Sequence, residues 1–167
     1  LAADRSSGQR RAWRPVFEFQ LPMRPEQQLV EGTRVAELLE QWSGPGTAGD
    51  GPGRFPDPEA VETYRRAMRV PFVAHSSMEY YRWALRSLPR RDGRRFAVAI
   101  KDQIAVPVLQ LHGEQDSFVL SSTVVASHRR AGSLLTYELL SGAGHFLPEE
   151  APERVTQALL TWLEALP

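Results

Sequence analysis

The chain has 167 residues, of which 42% are hydrophobic and 24% are charged, with 20 basic and 20 acidic side chains. These proportions are typical of a globular domain, and the absence of net charge argues against a protein that binds nucleic acid or acidic membrane surfaces. No apolar run approaches the ~18 residues of a membrane-spanning helix, and a chain without cysteine can form neither a disulfide nor a thiolate zinc site.

The first part of the chain predicts a polar lead-in followed by a helix and a long loop. Residues 1–15 are polar and basic, and residues 16–22 are compatible with either a short strand or the first turn of a helix. Apolar residues at helical spacing predict one helix over residues 25–42, although Gly32 weakens its middle. Residues 43–58 are rich in glycine and proline and predict an exposed loop.

Two further helices are indicated by their start signals. Asp57 followed by Pro58 predicts an N-cap and the first helical position. The four residues from Ser76 have the order of a capping box, in which a serine stands three positions before a glutamate. A helix is therefore expected to begin at Ser76 or Ser77. The arginine-rich residues 90–95 predict a solvated turn.

The last sixty residues have a different pattern. Residues 106–112 form a short apolar run bounded by turn residues, which predicts a buried strand, and residues 135–140 predict a second one. Residues 121–130 and 152–166 are typical of helices, and the second has an expected inner face of Val155, Leu159, Trp162, Leu163 and Leu166. Strand, helix, strand and helix in this order predict a βαβα unit with parallel strands, and hence the α/β class.

A titratable residue follows each predicted strand. Asp116 lies in the loop after the first strand, and His145 lies in a glycine-framed loop after the second. Because parallel strands end at the same edge of a sheet, the two side chains are expected to meet. An aspartate bonded to one ring nitrogen fixes the tautomer and leaves the other nitrogen as a general base. The alternatives are a helix-capping Asp116, a backbone-bonded His145, and Glu114 as the carboxylate that meets the histidine.

At these two loops the sequence resembles the last part of an α/β-hydrolase, over residues 106–163. Residues 106–113 together with Asp116 are similar to the acid-bearing strand and loop of that fold. Residues 142–146 are similar to its histidine loop. The resemblance implies that Asp116 is the orienting acid and His145 the base of a catalytic triad.

Residues 13–100 resemble the helical cap of the epoxide hydrolase and haloalkane dehalogenase branch. The matching residues are Phe19, Gln20, Pro22, Glu26, Leu29, Tyr80, Tyr81, Arg82 and Trp83. The resemblance implies that Tyr81 donates a hydrogen bond to an epoxide oxygen, while Pro15 stands at the position of the second cap tyrosine of these enzymes. Trp13 and Phe19 are candidates for lining the substrate pocket. For Tyr81, Phe19 and Trp13 the alternative is core packing.

The strands, the oxyanion loop and the nucleophile elbow that precede the cap in this family have no counterpart in the sequence. Ser76 and Ser77 have the right chain order before the acid and the base. However, the elbow needs a glycine two residues after its nucleophile, and the cap should lie between nucleophile and acid. We therefore expect a partial α/β-hydrolase fold, with a helical cap and polar lead-in at residues 1–103 and the C-terminal part of the core at residues 104–167.

Two functions follow from this organisation. One is a hydrolase of epoxides, esters or carbon–halogen bonds that keeps the acid and base but lacks the nucleophile in this chain. The other is a non-catalytic truncated or split module that needs a partner to complete its sheet, because the strand over residues 106–112 would have an unpaired edge.

The expected partners are few. A small apolar substrate is expected, with no nucleic acid, membrane, metal or cofactor, because no histidine or carboxylate cluster has metal-ligand spacing and no glycine-rich loop has a phosphate-binding pattern. Self-association or a complementing chain is the expected protein contact. The lack of cysteine and of a signal-peptide core favours the cytoplasm.

Overall fold

The computed structural model describes residues 7–45, 55–100 and 104–166. Its helices and strands are α1 (Ser7–Ala12), α2 (Arg14–Glu18), α3 (Arg24–Glu31), α4 (Thr33–Trp42), α5 (Pro58–Arg69), α6 (Val73–Arg86), α7 (Arg91–Ala99), β1 (Val108–Gly113), α8 (Ser121–Ser127), β2 (Leu135–Leu140), α9 (Leu147–Glu150) and α10 (Pro152–Glu164). Two 3-10 turns, at His128–Arg130 and Gly132–Leu134, lie between α8 and β2. The predicted α/β class, with helices first and a βαβα unit after them, is confirmed.

The two strands are parallel neighbours. They pair from Val108 opposite Leu135 to Gly113 opposite Leu140, and α8 forms the crossover between them. The predicted parallel pairing is therefore confirmed. Because the strands end side by side, the loop that follows β1 and the loop that follows β2 leave the sheet at the same edge.

The hydrophobic core has a large and a small part. The large part joins the helices of the first half to Phe118, in the loop after β1, through Val16, Phe19, Leu29, Val35, Leu38, Leu39, Trp42, Phe55, Ala74 and Met78. The small part lies against the sheet and contains Leu140, Ala143 and Ala151. The loop after β1 is thus packed into the same core as the helices that precede the sheet.

Residues 25–42 form two helices, so the prediction of one continuous helix is wrong. Gly32 lies between α3 and α4 with a φ of +89°, a left-handed conformation that glycine adopts without steric cost. Its amide donates to the carbonyl of Gln28, and its own carbonyl accepts a hydrogen bond of 3.0 Å from Arg65 Nε. The glycine thus ends α3 and lets α4 start in a new direction.

The two predicted N-caps have opposite outcomes. Asp57 caps α5 as predicted, since its Oδ1 accepts a 2.7 Å hydrogen bond from the amide three residues further on. The predicted start of a helix at Ser76 or Ser77 is wrong, because α6 begins at Val73. Ser77 lies one turn inside this helix, where its hydroxyl donates to the carbonyl of Val73 at 2.9 Å.

The arginine-rich segment and the last helix also differ from the predictions. Residues 90–95 do not form a turn, because α7 begins at Arg91 and its Phe96 ring lies edge-on to Trp83 at 5.3 Å. Helix α10 forms as predicted, but Leu159 and Leu163 of its expected inner face are 43% and 48% exposed. The two strands in the described ranges leave these side chains partly uncovered.

None of the helices in the described ranges is both long enough and apolar enough to cross a bilayer.

Candidate active site

Asp116 lies in a turn directly after β1, where backbone amides hold its carboxylate. Its Oδ1 accepts hydrogen bonds of 2.8 Å from the amides of both Phe118 and Val119. The residue is 9% exposed. The turn itself is fixed to the neighbouring loop by a 2.9 Å hydrogen bond from the Gln115 amide to the carbonyl of Ala143. This arrangement orients the carboxylate and leaves its second oxygen, Oδ2, for another partner.

That partner is His145. Its Nδ1 lies 2.9 Å from Asp116 Oδ2, so the two side chains meet as the parallel strands predict. The backbone amide of His145 donates to the carbonyl of Trp42 at 2.9 Å, which ties the histidine loop to the end of α4. When Nδ1 carries the proton that is donated to the carboxylate, Nε2 is left as a proton acceptor. Glu114, the rival carboxylate, is exposed.

A second imidazole lies behind the carboxylate. His112, in β1, is buried, and its Nδ1 is 3.9 Å from Asp116 Oδ2, beyond hydrogen-bonding distance. Burial lowers the pKa of His112, the negative charge of Asp116 partly opposes this, and His145 adds to the lowering. The neutral form of His112 is therefore favoured, and His145 is the imidazole within hydrogen-bonding distance of Asp116.

Aromatic rings surround His145. The ring centroids of Trp42, Phe118 and Phe146 lie 5.8, 5.1 and 5.4 Å from that of the imidazole, each in an edge-on arrangement. Tyr81, on α6, continues this aromatic cluster, with its ring 6.4 Å from that of Phe118. The imidazole thus lies in apolar surroundings, where charge interactions are stronger than in water. Sequence reasoning missed Trp42 and Phe118 in this role.

Solved structures of similar fold identify the fold of the chain, although no protein-family model matches it. ALR0039 of Nostoc sp PCC 7120, described as an α/β-hydrolase, is 28% identical and superposes with a TM-score of 0.71, covering 93% of this chain and 50% of its own. The chain has a partial α/β-hydrolase fold.

Two other solved structures show the same fold at lower identity. Epoxide hydrolase CorEH is 18% identical with a TM-score of 0.64, covering 93% of this chain and 51% of its own. A thermophilic esterase from Thermogutta terrifontis is 23% identical with a TM-score of 0.55, covering 98% of this chain and 53% of its own. The chain therefore spans about half the length of the α/β-hydrolase structures that it matches.

The predicted substrate contacts of this partial α/β-hydrolase lie in and around the large core. Phe19 is 3% exposed and packs on the Tyr81 ring at 5.4 Å, and Trp13 is half-buried against the same core. Burial raises the pKa of Tyr81, and Tyr80 adds to the effect. Of Tyr81, Phe19 and Trp13, it is Tyr81 whose ring lies against Phe118 in the aromatic cluster around His145. A substrate-binding role for Tyr81, Phe19 and Trp13 stays a prediction.

Sequence reasoning also missed a buried carboxylate beside the histidine loop. Glu150, at the end of α9, is 9% exposed and accepts hydrogen bonds from three backbone amides. One signal was available, because acidic side chains near the start of the last helix are favoured by the helix dipole. That signal does not indicate which of the neighbouring residues, Glu149 or Glu150, turns inward.

Glu149 instead joins the last part of the chain to the helices that precede the sheet. Its Oε1 accepts a hydrogen bond of 2.6 Å from the hydroxyl of Tyr64, on α5. This bond, with burial and the negative charge of Glu149 as further causes, raises the pKa of Tyr64 to about 12.

We expect Tyr64 to ionise near pH 12, and Glu149→Gln to return its pKa toward 10. A phenol whose pKa is higher in the folded than in the unfolded chain stabilises the fold at pH values below its pKa in the unfolded chain. That contribution is lost as pH rises through the folded value, here between about pH 10 and 12. Absorbance at 295 nm during alkaline titration measures the ionisation, and Tyr64→Phe assigns it. An unchanged titration curve in Glu149→Gln would contradict the contact.

Within the described ranges, no three histidine or carboxylate side chains lie together in a way that could hold a metal ion.

Proposed function

We propose that the chain is the cap and C-terminal part of an α/β-hydrolase in which Asp116 is the orienting acid and His145 the base. The observation that carries the proposal is the 2.9 Å contact between His145 Nδ1 and Asp116 Oδ2. It joins an imidazole to a buried carboxylate whose other oxygen is fixed by two amides. In this proposal residues 1–103 are the cap with its lead-in, and residues 104–167 belong to the core.

The geometry supports proton transfer at Nε2 of His145. With the Nδ1 proton held on the carboxylate, Nε2 accepts a proton from water or from an attacking side chain. The imidazolium that forms is stabilised by the negative charge of Asp116 at 2.9 Å, and the neighbouring aromatic rings reduce the contact of the pair with water. The same imidazolium then returns its proton to the leaving group.

The remaining parts of the reaction are assigned by the resemblance. The nucleophile comes from residues that this chain does not contain, since no elbow pattern occurs in the sequence. The substrate is a small apolar molecule with an epoxide, ester or carbon–halogen bond, converted in the cytoplasm without a cofactor. For an epoxide, Tyr81 is the proposed donor to the ring oxygen, and its place in the aromatic cluster supports this role.

The second candidate function is that of a non-catalytic module. The described residues contain one sheet of two parallel strands, although parallel sheets are normally covered on both faces. Leu139, Leu159 and Leu163 are each at least 43% exposed. These observations favour a chain that self-associates or pairs with a complementing chain. A monomeric state in sedimentation at high concentration would count against this candidate.

The chain alone is expected to hydrolyse neither p-nitrophenyl acetate nor styrene oxide above the level of His145→Ala. The decisive experiment extends the chain by the in-frame coding sequence upstream of Leu1. A Gly-x-Asp-x-x-Gly pattern there predicts epoxide or halide chemistry, and Gly-x-Ser-x-Gly predicts ester chemistry. In the active longer product, His145→Ala is expected to lower kcat by about 10⁴-fold or more, as the loss of a triad member does.

Two results would contradict the proposal. Turnover by the 167-residue chain that disappears in His145→Ala would show that the nucleophile lies within it. An active longer product that keeps its kcat in His145→Ala would remove the histidine from the base role. Steady-state kinetics with both substrates distinguish these outcomes.

A further inference from the structure

One buried carboxylate beside the histidine loop accepts hydrogen bonds from three backbone amides. Glu150 Oε2 accepts hydrogen bonds from the amide of Gly44 at 2.9 Å and from that of Gly144 at 2.7 Å. Its Oε1 accepts from the amide of Phe146 at 2.9 Å. All three partners are donors, and bonds of an ionised carboxylate are stronger than those of a neutral acceptor.

Two of the three amides flank the candidate base, and the third comes from another segment. Gly144 and Phe146 are the residues on either side of His145, and Gly44 belongs to the segment that follows α4. The amide of His145 itself donates to the carbonyl of Trp42, at the end of α4. The histidine backbone is therefore held on both sides by one carboxylate and in the middle by α4.

The two segments that Glu150 joins fit backbone to backbone. A Cβ atom on Gly44 would lie 2.7 Å from the nitrogen of Gly144, and a Cβ atom on Gly144 would lie 2.1 Å from the nitrogen of Gly44. Both distances are far below van der Waals contact. The close approach brings both amides onto the same carboxylate oxygen, and it requires that the loop stay in this position.

We propose that Glu150 is a positioning residue for His145 and acts through the backbone. The inference rests on the proposed function and deepens it. Asp116 is fixed by two amides of its own turn, whereas Gly142 and Gly144 give the backbone of the histidine loop a freedom that restraint from outside the loop must limit. Glu150 supplies that restraint, and so keeps Nδ1 of His145 on Asp116 and Nε2 free for the proton.

The test replaces the carboxylate by an amide of the same shape. In Glu150→Gln one oxygen becomes an NH₂ group, which cannot accept, so at least one of the three amides loses its partner. Long-range ¹H–¹⁵N spectra of the full chain labelled in histidine report the tautomer of His145, which His145→Ala assigns. We expect the ratio of Nδ1-protonated to Nε2-protonated ring to fall about tenfold in Glu150→Gln.

Glu149→Gln is the matched control. It makes the same chemical change one residue away, at a carboxylate that binds the Tyr64 hydroxyl, and we expect it to leave the tautomer of His145 unchanged. A merely structural role for Glu150 would lower stability in urea without moving the tautomer. A folded Glu150→Gln chain, by far-UV circular dichroism, with an unchanged His145 tautomer would overturn the proposal.

A second measurement covers the case in which Glu150→Gln does not fold. In the unmodified chain, the amides of Gly44, Gly144 and Phe146 are expected to exchange with deuterium as slowly as the strand amides of β1 and β2. Exchange at the rate of an unstructured peptide would overturn the proposal. Neither readout needs turnover, so a failure here is distinct from the kinetic failure of His145 as a base.

Discussion

Asp116→Ala is expected to lower the free energy of unfolding by about 3 kcal/mol, measured by urea denaturation. The alanine leaves the amides of Phe118 and Val119 without the acceptor that each now contacts at 2.8 Å. It also removes the partner of His145 Nδ1. Because the site lies between the aromatic cluster and the sheet, the freed donors are poorly placed to recover hydrogen bonds from water.

Asp116→Asn separates the two tasks of this carboxylate. The asparagine oxygen can keep both amides of the turn, so the loss of stability should be only about 1 kcal/mol. Its NH₂ group then faces His145 Nδ1 and forces that nitrogen to accept, which places the proton on Nε2. The histidine spectra should show this inverted tautomer. Equal destabilisation by both substitutions, or an unchanged tautomer in Asp116→Asn, would contradict the geometry.

The fold features that could be predicted depend on local pattern and on the topology of parallel strands. Residues 135–140 form the predicted strand, and helix α8 between the two strands is the crossover that lets them run parallel. Once both strands are parallel, the loops after them must share an edge. For that reason Asp116 and His145 could be placed together without coordinates, and their separation of 2.9 Å agrees.

The features that could not be predicted depend on contacts distant in sequence. Helix α6 begins at Val73 because Phe72, with a φ of +68°, turns the chain into it, and no local propensity of phenylalanine predicts that conformation. Glu150 binds Gly44, which lies 106 residues away. Its inward direction is set by tertiary packing, whereas its sequence neighbour Glu149 has the same local signals and pairs with Tyr64.

Several of the distant contacts that join the helical half of the molecule to its strand half lie around the end of α4. At the end of α4, the Trp42 ring packs against His145 and the Trp42 carbonyl accepts a hydrogen bond from the His145 amide. In the segment that follows α4, the amide of Gly44 donates to the Glu150 carboxylate. Any change that separates these segments should therefore affect stability and the geometry of the acid–base pair together. The fit between Gly44 and Gly144 is the most sensitive point of this junction.

Gly144→Ala is accordingly expected to lower the free energy of unfolding by about 3 kcal/mol or more. The added Cβ would lie 2.1 Å from the nitrogen of Gly44 and 2.6 Å from the carbonyl carbon of Ser43. Both are backbone atoms, so relief requires that the two segments move apart and that Glu150 give up at least one of its amides. Urea denaturation measures the loss, and the histidine spectra should show a weakened contact between His145 and Asp116.

Gly142→Ala is the control in the same loop. Gly142 has a φ of +77°, but a Cβ atom there would meet nothing within 4 Å. The substitution therefore carries only the cost of a left-handed backbone, about 1 kcal/mol. A larger loss for Gly142→Ala than for Gly144→Ala would mean that backbone conformation, and not the contact with α4, holds the histidine loop. The opposite order, with the tautomer of His145 disturbed only in Gly144→Ala, would show that this contact keeps the imidazole on its carboxylate.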